Sequence, residues 1–209
     1  MTTENRDTWA KARNDIINLS SKNAKNLEMI DSALFCLCLD DHTTDYERPV
    51  GGIRKFLFDE GANRWFDKSF SLIVSKDGTA GVTFEHSWGD GVAVLRYFNE
   101  VWKETSTKPF WHPSSPPSNA DVGTSVRQLD FDLDDKVKHA IDAAQTNHQK
   151  VVQGLDMNFL KYDKLNKEVC KQHKISPDAV MQLSFQLGFY KQHQQFVATY
   201  ESCSTAVFR

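Results

Sequence analysis

His86 is the residue best placed to do acid–base chemistry. It lies in Phe84-Glu85-His86-Ser87-Trp88-Gly89-Asp90-Gly91, between residues 79–84, whose small and apolar residues alternate as in a strand, and residues 92–102, whose apolar residues recur at helical spacing. A strand-to-loop junction holds a side chain rigidly at the rim of a sheet while leaving it reachable. An imidazole, with an ordinary pKa of about 6.5, accepts a proton near neutral pH. Asp90-Gly91 add a carboxylate and a flexible turn four residues on. Read alone, the same ring also fits a hydrogen-bonded, partly buried structural histidine.

Two further groupings carry binding chemistry. Lys167 and Lys171 stand four apart on one expected helix and share a face, with Lys164 a turn earlier and Lys174 just beyond. Next to the N-terminus of a helix starting at Ser176, whose free N–H groups favour negative charge, they make a compact site for an anion such as a phosphate. The alternative is a solvated lysine face. Tyr200 and Ser202 alternate onto one side of an expected closing strand and offer two hydroxyls to a small polar ligand such as a carboxylate; strand hydroxyls are also common without a ligand. Asn63-Arg64-Trp65-Phe66-Asp67-Lys68-Ser69 reads as a salt-bridged turn ordering the approach to His86.

The elements that must position these groups follow from periodicity. Thr3 or Asn5 caps a helix running to about residue 19, with Trp9, Ala12, Ile16 and Ile17 on its apolar side, and a second short helix covers 24–30. Residues 32–39 form a continuous apolar run, predicting a central strand buried on both faces. Residues 41–61, rich in charge, Gly and Pro, read as a surface loop. Residues 69–74 and 79–84 around Lys76-Asp77-Gly78 predict a hairpin leading into His86, followed by a helix over 92–104. Pro109, Pro113, Pro116 and Pro117 make 105–124 a linker. Beyond it come a strand over 126–131, a helix over 132–153 with Val137, Ile141, Ala144 and Val151 inward, and a helix over 164–173. Ser176 as cap and Pro177 at the first helical position then start a helix with Val180, Leu183, Leu187 and Phe189-Tyr190 as its stripe. Residues 196–205 read as a strand.

With 40% hydrophobic and 25% charged residues among 209, including 14 Phe and 5 Trp, the chain can bury a core. A formal net charge of -3 gives no broad field for a polyanion, which argues against a nucleic-acid partner. Cys36, Cys38, Cys170 and Cys203 are scattered without the second close pair that a zinc site needs, so they read as reduced thiols with no metal. No run approaches the roughly 18 apolar residues of a membrane span, and no targeting segment is evident. The sequence opens directly into polar helix-forming residues and stops at Ala206-Val207-Phe208-Arg209 without a turn signal, so both ends read as cut from a longer chain.

His86 with Asp90-Gly91 fits the His-x-x-x-Asp-Gly pattern of coenzyme A-dependent acyltransferases. Taken in order, Asn63-Arg64-Trp65-Phe66-Asp67-Lys68, residues 84–91, Ser176-Pro177-Asp178-Ala179 and Thr199-Tyr200-Glu201-Ser202-Cys203-Ser204-Thr205 resemble the choline/carnitine acyltransferase family over essentially the whole chain. The resemblance implies an α/β (α+β) fold, the coenzyme A-dependent acyltransferase fold of sheet and helices in two layers. Residues 1–104 would end the N-terminal domain, 105–124 would be the Pro/Ser linker, and 125–209 would start a related C-terminal domain. It implies that His86 is the catalytic base, that Asp90 supports its loop by pairing with an arginine, that Lys167, Lys171 and Asp178 contact coenzyme A, and that Tyr200 and Ser202 contact the carnitine carboxylate. The implied reaction moves a long-chain acyl group between coenzyme A and carnitine, both substrates, with no bound cofactor. The implied location is the matrix side of the mitochondrial inner membrane, with room for peripheral membrane association of the full-length enzyme. The Gly-Arg-Thr run, carboxylate-binding arginine and Ser-Thr-Ser segment of the family are not among these residues, so the 209 residues alone are expected to turn over little or no substrate. A noncatalytic acyl-CoA-binding piece is the competing expectation.

Overall fold

The computed structural model describes residues 1–45, 47–112, 114–119 and 122–200, with Val122 described by its backbone alone. Two compact units divide the chain, Met1–Phe159 and Leu160–Arg209.

Three helices of the first unit share its main hydrophobic cluster. Helix α1 (Arg6–Leu19) starts at Asn5, whose side chain accepts the Asp7 N–H, and α2 (Ser21–Ser32) starts at Ser20, whose hydroxyl accepts the Asn23 N–H. Residues 9, 12 and 16 lie along one face of α1, and there Trp9, Ala12 and Ile16 pack with Leu27 of α2 and Val137 of α6 (Asp135–Gln153). Leu27 and Val137 are fully buried, each stabilising the fold by about 1.5–3 kcal/mol relative to an exposed side chain. Val151, expected inward on α6, is exposed instead; the buried stripe of that helix runs through Val137, Ala144 and His148.

Strands β1 (Cys36–Asp40), β2 (Phe70–Ser75) and β3 (Ala80–Phe84) form a sheet in that order, β1 parallel and β3 antiparallel to β2. The expected hairpin is therefore present, with Phe70 opposite Phe84. Its turn is fastened by Asp77, whose carboxylate accepts the Ser75 hydroxyl and the Thr79 N–H, and Gly78 supplies the left-handed φ of +81. The expectation of a central strand over 32–39 is corrected. β2 is central, with Ile73 wholly enclosed, while β1 is an edge strand whose Leu37 and Leu39 are 55% and 70% exposed.

Two further expectations change. Residues 41–61 are not all loop, because α3 (Val50–Leu57) lies within them. The Arg54 guanidinium donates to the carbonyls of Val152 and Leu155, binding α3 to the end of α6. Residues 126–131 contain no strand. The side chain of Asn26 donates to Asp130 O, and Asn23 both donates to Asp132 O and accepts its N–H, all at 2.8 Å, so helix-borne amides occupy backbone groups that a strand partner would use. Helix α4 (Gly91–Thr107) and the short α5 (Val122–Ser125) reach into the two ends of the Pro/Ser stretch.

The second unit holds α7 (Lys167–Gln172), shorter than expected, and α8 (Pro177–His193), which starts as predicted with the Ser176 hydroxyl accepting the Ala179 N–H. Of the expected stripe, Val180, Phe189 and Tyr190 are half-buried and Leu183 and Leu187 are exposed. Residues 196–200 are not a strand: Phe196 stacks on Tyr190 and the Thr199 hydroxyl accepts from Gln186. Mixed helices with one small sheet make this an α+β protein.

Candidate active site around His86

The loop carrying His86 leaves β3 and enters α4, and its closure depends on a main-chain oxygen two elements away. Ser69 O accepts the Glu85 N–H at 3.0 Å, extending the hairpin pairing by one step, and also accepts the Trp88 indole N–H at 2.6 Å. The Glu85 carboxylate in turn accepts the Ser87 N–H at 3.1 Å. These bonds brace the residues on either side of His86.

The imidazole itself is 76% exposed, its ring standing edge-on to Phe84 at 5.8 Å. Its Nε2 lies 4.0 Å from Asp90 Oδ1. Among the described residues the group that faces the Asp90 carboxylate is thus the His86 ring, and the two form an ion pair only when the imidazole is protonated. Both side chains are solvated, so the pair is worth under about 1 kcal/mol. Asp90 occupies the N-cap position of α4 without a side-chain capping bond.

His86 borders a cleft of about 290 Å³ whose wall includes Arg64, Lys68, Ser71, Thr83 and Glu85. The two wall cations are committed to the fold. The Lys68 ammonium donates to Asp31 O and Ala33 O at the end of α2, at 2.9 and 2.7 Å. The Arg64 guanidinium is bound to Asp40 and to Lys55 O. Arg64 holds the Asp40 carboxyl below the usual carboxylate range by hydrogen bonding. Asp67 accepts from Arg6 and from the Trp9 indole. The segment 63–69 is thus a braced turn that delivers Ser69 O to the histidine loop. What remains available for chemistry is a reachable ring nitrogen at a cleft, able to take a proton from a hydroxyl brought beside it.

In the second unit, Lys167 opens α7 and Lys171 lies in its last turn, both exposed. Asp178 lies in the first turn of α8, where its negative charge complements the helix dipole. Lys167 and Cys170 border a mostly apolar groove of about 310 Å³ with Pro177, Met181 and Phe185. Tyr200 is 86% exposed and Ser202 lies outside the described residues. Cys36, Cys38 and Cys170 are free thiols, and burial pushes that of Cys38 up. No helix among the described residues is long and apolar enough to cross a membrane.

Sequence reasoning expected His86 at a strand-to-helix junction, where it lies, but missed the Trp88–Ser69 and Arg64–Asp40 contacts. The dense polar-aromatic character of 63–69 was the only local signal for either.

Comparison with known proteins bears on this arrangement. The family described as Choline/Carnitine o-acyltransferase matches residues 1–209. Over its whole length the chain is 48% identical to carnitine O-palmitoyltransferase 2, mitochondrial, of Macaca fascicularis, covering 31% of that protein. It is 30% identical to carnitine O-acetyltransferase of Mus musculus and 32% identical to choline O-acetyltransferase of Sus scrofa, covering 34% and 33% of them. The sequence therefore spans about a third of the length of the curated relatives it matches. With the family matched from the first residue to the last, this chain belongs to the choline/carnitine O-acyltransferases.

Proposed function

We propose that this sequence is part of an enzyme that moves a long-chain acyl group between coenzyme A and carnitine, with His86 as general base. The observation that carries the reading is a solvent-reachable imidazole at the rim of a cleft, in a chain 48% identical to carnitine O-palmitoyltransferase 2. His86 takes the proton from the carnitine hydroxyl as its oxygen attacks the thioester carbonyl. The tetrahedral intermediate collapses with cleavage of the C–S bond, and the imidazolium returns the proton to the departing coenzyme A thiolate. The same base serves the reverse reaction. Asp90 supports the histidine loop, Lys167, Lys171 and Asp178 meet coenzyme A, and Tyr200 and Ser202 meet the carnitine carboxylate. In this reading the chain adopts part of the coenzyme A-dependent acyltransferase fold, with 105–124 joining two related domains, and works in mitochondria on the matrix side of the inner membrane.

The apolar groove beside Lys167 favours a second reading in which these residues bind acyl-CoA without chemistry. One assay separates the two. Palmitoyl-CoA and carnitine are mixed with the whole protein that carries this sequence, and free thiol is followed. The first reading expects thiol release, reduced about 10²- to 10⁴-fold by His86→Ala. Release undiminished by that substitution overturns the base assignment. Palmitoyl-CoA binding without thiol release, lost in the Lys167→Ala/Lys171→Ala variant, establishes the second.

A further inference from the structure

We infer that Trp88 is a positioning residue for His86, acting through its indole N–H on the main-chain carbonyl of Ser69; the inference rests on His86 being the base. The imidazole has little of its own to hold it: the contacts seen are an edge-on ring at 5.8 Å and a solvated carboxylate at 4.0 Å. Its direction is therefore set by the backbone of its loop. Ser69 O is the shared anchor, receiving Glu85 N–H from the residue before His86 and the Trp88 indole from two residues after it. A single oxygen thus closes the loop from both sides.

The anchor is itself fixed. Ser69 precedes the first residue of the central strand, and its neighbour Lys68 is tied to two carbonyls at the end of α2. The indole of Trp88 lies against Phe70, the next residue along, with ring centres 6.4 Å apart. Trp88→Phe keeps one aromatic ring for Phe70 while deleting the N–H donor together with the second ring of the indole. The Glu85 bond remains, so the hairpin persists while the loop beyond His86 is released.

The test compares the parent and Trp88→Phe in the whole protein carrying this sequence, after circular dichroism establishes equal helix content. Amide hydrogen exchange at His86 and Ser87 and relaxation of the His86 ring report the loop directly, independent of any reaction. Steady-state kinetics with palmitoyl-CoA and carnitine report the consequence. The inference expects faster exchange, a less ordered ring, and kcat lowered by about 10- to 100-fold with KM unchanged, because a misdirected base weakens only the transition state. Unchanged exchange and ring order in Trp88→Phe overturn it, as does a loss confined to KM. If order is lost but the parent protein itself has no turnover, the positioning contact stands and the acyltransfer reading fails. Should Trp88→Phe not fold, Trp88→His, which keeps a ring N–H, serves as the second variant: restored protection supports the donor's role, and unprotected amides in a folded Trp88→His protein refute it.

Discussion

Arg64 and Asp40 meet end-on in a buried pair, Nη2 2.7 Å from Oδ2 and Nη1 3.0 Å from Oδ1, with the two side chains only 1% and 5% exposed. This contact joins the end of β1 to the turn that carries Ser69, so it ties a wall residue of the His86 cleft to an aspartate 24 residues away in sequence.

Breaking that pair from one side is expected to be costly. Asp40→Asn leaves the Arg64 cation buried without its counter-charge and should lower stability by about 3 kcal/mol in urea unfolding. The Arg64 Nε is already buried with no acceptor among the described residues. Replacing both partners by apolar side chains, Asp40→Leu with Arg64→Met, should therefore recover much of the loss. A double variant as unstable as Asp40→Asn would show that the pair does more than neutralise itself.

The same carboxylate sets an acid limit. Hydrogen bonding holds Asp40 below the usual range, and Asp77 is likewise held far down by the Ser75 hydroxyl. Depressed carboxyl groups contribute stability that is present above the unfolded value of about 3.9 and lost as pH falls through the folded one. Unfolding free energy should therefore fall steeply below about pH 4, and the slope should flatten in Asp40→Asn. An identical slope in that variant would remove Asp40 from the account.

Gly81 is expected to tolerate no side chain. A Cβ there would stand 2.9 Å from the Phe56 ring of α3. Gly81→Ala should cost about 1–3 kcal/mol by thermal or urea unfolding, as overpacking generally does, and Phe56→Leu in the same chain should relieve part of it. Additive losses would mean that the ring moves aside without strain.

Asn23 substitutes for a strand partner and should show it. Its buried amide donates to Ile16 O and Asp132 O and accepts Asp132 N–H. Asn23→Ala strips partners from three main-chain groups and is expected to destabilise by about 3 kcal/mol; a loss near that of an exposed Asn→Ala change would mean that water replaces the amide.

Ser176→Ala should remove the cap of α8 and cost about 1 kcal/mol, seen as earlier loss of helix on heating. Because Pro177 still fixes the first turn, the helix should shorten rather than vanish, and a melting curve identical to the parent's would show the cap to be idle.

Local signals made the histidine junction legible. Alternation in 79–84 and helical spacing from 92 onward meet at His86, and both describe contacts between residues close in sequence. The cap at Ser176 was legible for the same reason, and that of α1 was narrowed to Thr3 or Asn5, of which the structure uses Asn5. α3 was hidden because Pro49, Gly51 and Gly52 are poor helix formers. Its stability comes from Arg54 reaching carbonyls 98 and 101 residues on, a tertiary override of local propensity. The apolar run at 32–39 predicted double burial but could not reveal an edge position, since hydrophobicity reports a preference for cover and not what provides it. Alternation at 126–131 was real, yet side-chain amides from α2 took the place of a neighbouring strand. The Trp88 bond links residues 19 apart, a spacing with no periodic signature.

Because the oxygen gripping the histidine loop belongs to the main chain, every amino acid at position 69 presents the same group, and genetic variation there is silent for the loop. The donors are not interchangeable in that way. Proline at 85 would erase one N–H, and at 88 histidine alone could still offer a ring N–H. Tolerance and intolerance should therefore fall on opposite ends of one contact, with the drift permitted at the acceptor and the constraint borne by the tryptophan.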